Sequence, residues 1–299
     1  MLSYQEFLPK NKKMRLLGRI KGIVKAVLKL IQPKTIIQAN VSKLAPNEML
    51  KGRFALITGG TSGIGYAIAE AFLEAGAKVI ITGRSKSKLD KAVEQLSQFG
   101  ACYGVVMDVT KVETIQDCFN DSVSKYGKID ILVNNAGVSG ASIADATPEK
   151  FDAVIDTNLK GVFFLSQVAG KYMVKNGIHG NILNISSASS IRPAACAYTI
   201  SKWGVRGFTQ GLARTLLPYG ITVNALAPGP TATPLLRKDS DADDISLPVT
   251  PSGRYALPCE IASMAVVLVS DMARLVIGDT VFMTGGAGNI NNGDMDYPF

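Results

Sequence analysis

A single histidine, His179, and four scattered cysteines are the only imidazole and thiol metal ligands in this chain of 299 residues. Cys102, Cys118, Cys196 and Cys259 form no CxxC pair, so neither a zinc site nor a disulfide framework has its donors, and a reducing compartment is expected. The shortage of histidine also argues against a Ser-His-Asp hydrolase. His179 lies in the turn-like stretch Asn176-Gly-Ile-His-Gly-Asn181, and Gly60-Thr-Ser-Gly-Ile64 fails the GxSxG elbow at its last position. No internal repeat and no low-complexity tract is present. Charged residues make up only 19% of the chain against 47% hydrophobic, enough apolar material for one large core. A single α/β domain of about 250 residues accounts for it.

The net charge of +8 is concentrated at one end. Residues 1–50 hold ten lysines and arginines against Glu6 and Glu48, while the other 249 residues balance 22 basic side chains with 22 acidic ones. This basic leader has Tyr4 and Phe7 as its only aromatics, and the body carries no nucleic-acid motif, so no nucleic-acid partner is expected. From Met14 to Ile31 the leader places Leu16, Leu17, Ile20, Ile23, Val24, Val27, Leu28 and Ile31 at helical spacing, which predicts a basic amphipathic helix. Lys21, Lys25 and Lys29 interrupt the apolar run and exclude both a secretory signal and a spanning helix. The absence of serine from this stretch argues against a transit peptide. Two readings stay open: the stripe packs on the body or a neighbouring subunit, or it lies on an anionic membrane surface. The expected location is cytoplasmic, with peripheral membrane association under the second reading.

Downstream, short runs rich in β-branched residues alternate with helix-period segments. Phe54–Ile57, Lys78–Thr82, Tyr103–Met107, Ile129–Val133, Asn181–Ile185, Ile221–Leu226 and Thr280–Met283 read as seven strands. That alternation predicts a doubly wound parallel sheet with helices on both faces, spanning 51–291 and followed by a short tail, 292–299.

Two patterns carry chemistry. Thr58-Gly-Gly-Thr-Ser-Gly-Ile-Gly65 stands between the first strand and a helix-like segment, the arrangement of a dinucleotide phosphate cradle. Tyr198 and Lys202, four residues apart, put a phenol and an ammonium on one helical face. An unperturbed phenol titrates near 10, so a cation that favours phenolate lets it exchange a proton with an alcohol near neutrality. Between these patterns lie Asn134-Asn-Ala-Gly137, Asn158 in Asp156-Thr-Asn-Leu-Lys160 and Ser187 in Asn184-Ile-Ser-Ser187; Pro228-Gly229 follows them.

In this order the motifs resemble the short-chain dehydrogenase/reductase family over roughly residues 51–286. The resemblance implies a Rossmann-type fold and an NAD(P)(H)-dependent oxidoreductase that interconverts a small-molecule carbonyl and a secondary alcohol. Its range extends from 3-oxoacyl-carrier reductases to sugar or polyol dehydrogenases and reductases of hydrophobic ketones. It implies Tyr198 as acid/base, Lys202 as the group that lowers the phenol's pKa and holds the nicotinamide ribose, Ser187 as the carbonyl-orienting hydroxyl, and Asn158 as support for a water chain. It also places the cofactor along Gly59, Thr61, Ser62, Gly63, Ile64 and Gly65 of the turn. Further cofactor positions are Asp108 and Val109 after the third strand, Asn135, Ala136 and Gly137 after the fourth, then Tyr198, Lys202, Pro228, Gly229 and Thr231. No metal is implied, and the oligomer expected by analogy is a homotetramer or homodimer built on the helices that carry Asn158 and Tyr198.

Ser187 precedes Tyr198 by eleven residues where the family usually has about thirteen, which leaves Ser186 and Ser189 as rivals. At the end of the second strand, Ile81-Thr-Gly-Arg84 offers no acid for an adenosine 2′-hydroxyl and an arginine whose fork suits a 2′-phosphate, so NADP(H) is expected ahead of NAD(H). The segment 231–257, a lid by resemblance, has mixed charge and selects no substrate. The contrary reading is a nucleotide-binding partner at a membrane surface that performs no chemistry, and retention of Tyr198 and Lys202 together argues against it.

Overall fold

The structure is a computed structural model, and it describes residues 48–236, 245–288 and 290. The expected helix at 14–31, the tail at 292–299 and part of the lid segment lie outside the described residues. Seven strands form one sheet: β1 (Phe54–Thr58), β2 (Lys78–Gly83), β3 (Cys102–Val106), β4 (Ile131–Asn134), β5 (Asn181–Ile185), β6 (Thr222–Pro228) and β7 (Thr280–Met283). All pair in parallel in the order β3-β2-β1-β4-β5-β6-β7. The connecting helices are α1 (Gly63–Glu74), α2 (Lys86–Leu96), α3 (Val112–Tyr126), α4 (Pro148–Ile155), α5 (Gly161–Lys175), α6 (Ala197–Leu216) and α7 (Pro258–Val269). A π-helical turn, Asp156–Lys160, joins α4 to α5.

The strands read as unbroken apolar runs because both faces are covered. Ala55, Ile57, Val79, Ile81, Ile131 and Val133 point into one layer with Ile68 and Phe72 of α1, Leu89 of α2 and Ile261 of α7. Their neighbours Leu56, Ile80 and Leu132 point into the other, against Phe119 of α3, Leu165 of α5 and Leu216 of α6. Each large side chain fully withdrawn from water contributes roughly 1.5–3 kcal/mol, so the period-two alternation locks the register: a slip by one residue would exchange the two layers. Leu50 is also fully buried in the first layer, and its amide donates to Ala75 O at 2.8 Å.

Strand ends differ from the sequence expectation by one or two residues. β4 starts at Ile131 and runs to Asn134, which pairs with Asn184 of β5. The Asn134 amide donates to Asn184 Oδ1 and Ser166 Oγ, both at 2.8 Å, and Asn184 Nδ2 donates to Thr209 Oγ1 at 2.9 Å. A polar residue therefore ends an apolar strand without an unsatisfied group, and the same chain of bonds ties β4 and β5 to α5 and α6. Because β1 is flanked by β2 and β4, the chain reverses direction across the sheet there, and a crevice opens beyond the carboxyl ends of β1 and β4.

Candidate active site

The crevice begins with the turn between β1 and α1. Gly59 and Gly63 adopt φ of +64° and +59°, conformations that strain any other residue, and the Gly60 amide donates to Thr82 O at 3.1 Å. The turn leaves the amides of the first turn of α1 facing the cleft, a ready anion site. Thr58 Oγ1 accepts the amides of Asn135 and Ala136 at 3.0 Å each, and Asn135 Nδ2 donates to Thr58 O at 2.9 Å and Gly59 O at 3.1 Å. Those bonds stitch the loops after β1 and β4 into one floor. Gly59, Thr61, Ser62, Gly63 and Ile64 line the resulting cleft. Gly65 does not line it. A Cβ there would collide with Asn135 Nδ2 and Gly59 O, so this glycine lets α1 approach the floor from behind rather than forming its surface.

The cleft encloses about 720 Å³. At one end are Arg84, Asp108 and Val109; Asn135, Ala136 and Gly137 form the middle; Ser187, Tyr198, Lys202, Pro228, Gly229 and Thr231 form the rest of the wall. Asp108 Oδ1 accepts from the amide and hydroxyl of Thr110 at 3.1 and 2.8 Å, which fixes the turn after β3. Arg84 is exposed and makes no ion pair among the described residues. Gly229 lies so close to Thr284 that a Cβ would stand 2.7 Å from its backbone, and its amide donates to Met283 O at 2.8 Å. A glycine-lined cradle, a helix amino terminus and an elongated crevice at the switch point fit a dinucleotide, with its pyrophosphate against α1.

Tyr198 and Lys202 occupy the first turns of α6, whose N-cap is Cys196, with Sγ accepting the Thr199 amide at 3.4 Å. Lys202 is 5% exposed; its Nζ donates to Ile185 O at 2.8 Å and stands 5.6 Å from the centroid of the Tyr198 ring. Burial pushes its ammonium down to about 8. Burial also raises the Tyr198 phenol above its ordinary value, a hydrogen bond from the Ser187 side chain pulling the other way and the neighbouring Cys196 adding slightly to the rise. Burial is the largest influence on the phenol, and the Lys202 ammonium donates to a backbone carbonyl beside it.

All three candidate serines line the cleft. Ser187 lies near enough to Tyr198 to pull its phenol down and accepts the Ser189 amide at 3.1 Å, whereas the Ser186 hydroxyl, almost fully buried, donates to Lys202 O at 3.2 Å. Eleven residues suffice to bring Ser187 to Tyr198 because 188–191 coil into a 3₁₀ turn and Cys196 bridges back to Ser142.

Asn158 lies on the π-helical turn, fully buried, and not on the cleft wall. Its amide donates to Val138 O at 2.8 Å and Ser201 Oγ at 3.2 Å while its Oδ1 accepts the Val138 amide at 2.8 Å. It clamps the loop after β4 to α6 from behind. The wall also includes residues that the sequence motifs did not single out, among them Ser142, Arg192, Cys196, Thr233, Leu235 and Leu236. Two signals in the sequence pointed toward them: the shortened loop between Ser187 and Tyr198 holds Arg192 and Cys196, and the segment 231–257 holds Thr233, Leu235 and Leu236. Among the described residues no three His, Cys, Asp or Glu side chains gather as a metal site, and no helix is long and apolar enough to cross a membrane.

Residues 59–288 match the family described as Enoyl-(Acyl carrier protein) reductase. The chain is 39% identical over 249 residues to a 3α-hydroxysteroid dehydrogenase of Mediterraneibacter gnavus, covering 80% of this chain and 98% of that one. Among solved structures, a gluconate 5-dehydrogenase from Burkholderia cenocepacia in complex with NADP and tartrate superposes with a TM-score of 0.75 at 34% identity, over 82% of this chain and 99% of that one. A 3-ketoacyl-(acyl-carrier-protein) reductase from Brucella melitensis complexed with NADH gives a TM-score of 0.73 at 32% identity, over 80% and 99%.

Proposed function

Since the chain belongs to the short-chain dehydrogenase/reductase family and is thereby an NAD(P)-dependent oxidoreductase acting on a carbonyl or alcohol, we propose that Tyr198 is its acid/base. The observation that carries this reading is that Ser187, Tyr198 and the buried Lys202 share the cleft wall, with Lys202 Nζ 5.6 Å from the centroid of the Tyr198 ring. A substrate carbonyl placed between the two hydroxyls accepts a hydrogen bond from each. A bound nicotinamide supplies the hydride to the carbonyl carbon in reduction and takes it back in oxidation. Tyr198 gives its phenolic proton to the carbonyl oxygen, Ser187 orients that oxygen, and Lys202 opposes the negative charge left on the phenolate. Asn158 acts as a positioning residue through Val138 and Ser201. A panel of ketones and alcohols assayed with each nicotinamide cofactor tests the reaction, and no turnover of any member overturns it. The non-catalytic reading is not favoured, because the relatives are named as dehydrogenases and reductases.

NADP(H) is the preferred cofactor in this reading, supported by Arg84 on the cleft wall at the end of β2 with no acid beside it. Similarity alone does not choose, since one solved relative holds NADH and another NADP. Arg84→Ala is expected to raise the KM for NADPH about tenfold or more and leave that for NADH nearly unchanged, as a charge-assisted contact of roughly 1.5–3 kcal/mol requires. Equal losses with both cofactors would show that the guanidinium does not meet a 2′-phosphate.

The protein acts in the cytoplasm as a homodimer or homotetramer through the helices that carry Asn158 and Tyr198. Phe151, Phe163, Ile200 and Trp203 on α4, α5 and α6 keep substantial exposed apolar area that such packing would cover. The catalytic body is 51–291, and the two readings of the leader, protein association or a membrane surface, differ in what its removal would change. Deleting residues 1–44 is expected to leave turnover intact and, under the first reading, to weaken the oligomer in sizing experiments. Binding of the full chain to anionic vesicles that salt reverses would place the stripe on a membrane instead.

A further inference from the structure

Four charged side chains line the cleft among the described residues, and three are accounted for: Arg84 and Asp108 at the cofactor end, Lys202 on Ile185 O. The fourth, Arg192, stands at the other end, on the short loop between Ser187 and Tyr198.

The backbone of Arg192 is held in place. Its amide donates to Ser189 O at 3.3 Å, its carbonyl accepts Trp203 Nε1 at 2.8 Å, and Arg206 Nη1 steadies the same loop at Ser190 O, 3.4 Å away. Its side chain, by contrast, is exposed and makes no hydrogen bond or ion pair among the described residues. It lies over Gly288, where a Cβ would stand 3.3 Å from Arg192 Nε, so that glycine leaves room for the guanidinium. Around it the wall is built of small side chains, Ala188, Ser189, Cys196 and Ser142, with Leu235 and Leu236 also lining the cleft. Apart from Asp108 at the cofactor end, no acidic side chain lines the cleft among the described residues, so none on the described wall neutralises Arg192.

We propose that Arg192 is a specificity-determining residue that grips an anionic group on the substrate, whose class is therefore an oxo acid or its hydroxy counterpart with a carboxylate or phosphate at one end. This inference rests on the oxidoreductase reading above. The carbonyl meets Ser187 and Tyr198 while the anion accepts the planar fork of the guanidinium, and a short aliphatic segment between them meets the apolar part of the wall. Because the backbone is already held, binding the anion has to order only the arginine side chain and not the loop that carries it.

The test compares matched pairs that differ in one charge: 4-oxopentanoate and 5-oxohexanoate against their methyl esters, and dihydroxyacetone phosphate against dihydroxyacetone. Wild type, Arg192→Gln and Arg192→Lys are assayed with either cofactor at saturation, with melting temperatures to establish that the variants fold. Wild type is expected to favour the charged member of at least one pair. Arg192→Gln should lower kcat/KM for that member by about 10- to 100-fold, mainly through KM, and leave its uncharged twin within about twofold. Arg192→Lys should recover part of the loss, because it keeps the charge and loses the fork. The pair that discriminates identifies the anion as carboxylate or phosphate. Equal use of both members by wild type, or a preference that survives Arg192→Gln, overturns the assignment of Arg192 and leaves the oxidoreductase reading standing. No turnover of any member while another ketone or alcohol of the wider panel is accepted also overturns the Arg192 assignment, and no turnover across the whole panel with either cofactor overturns both.

Discussion

Tyr198→Phe is expected to retain cofactor binding and to lose about 10²- to 10⁴-fold in turnover, the range supplied by a positioned acid/base. The ring of Tyr198 sits in the first turn of α6 and still packs when the hydroxyl is gone, so the fold has little reason to respond. What disappears is the phenolic proton that this mechanism transfers to the carbonyl oxygen. Steady-state turnover on any accepted carbonyl, beside cofactor titration by fluorescence, reads the two effects separately. Near-normal rates in the variant would sink the mechanism.

Lys202→Met is expected to abolish activity, weaken cofactor binding and change the pH dependence of stability in a direction opposite to most buried ion losses. Burial holds the folded-state pKa near 8, against 10.5 for the free side chain. Below pH 8 the ammonium is charged in both folded and unfolded chains, and its full desolvation cost weighs on the native state. Between 8 and 10.5 the unfolded chain binds the extra proton, so the stability of the wild type rises with pH. The shift corresponds to something on the order of 3 kcal/mol. Methionine removes that cost but also the bond to Ile185 O, whose loss takes back about 1–3 kcal/mol, so at pH 7 the variant is expected to be as stable as wild type or slightly more so. Denaturant unfolding at several pH values should then show wild type gaining on the variant from pH 8 upward. Parallel curves would mean that Lys202 titrates normally, and that its burial is not what sets its behaviour. A site that destabilises its own fold near neutrality in order to hold a cation is the usual trade between stability and activity.

Much of this protein was legible in the chain because the relevant physics is local. Strands covered on both faces read as apolar runs such as Phe54–Thr58 and Asn181–Ile185, and the seven proposed from the sequence are the seven found, each within two residues at its ends. Tyr198 and Lys202 share a face because one helical turn puts them there. The glycine turn is legible for the same reason, since Gly59 and Gly63 need positive φ whatever surrounds them. Contacts between distant segments were not legible. Gly65 and Asn158 belong to motifs, yet neither reaches the cleft, because each is consumed by a neighbour far along the chain: Asn135 for one, Val138 for the other. The approach of Ser187 to Tyr198 across eleven residues depends on a 3₁₀ turn and on the bridge from Cys196 to Ser142, which spacing alone could not supply. Arg192 became a wall residue only when Trp203 caught its carbonyl and Gly288 passed beside its side chain. The titration of Tyr198 and Lys202 was decided last of all, since a spacing of four determines that two side chains are neighbours, whereas how much water each loses is set by every element packed around them.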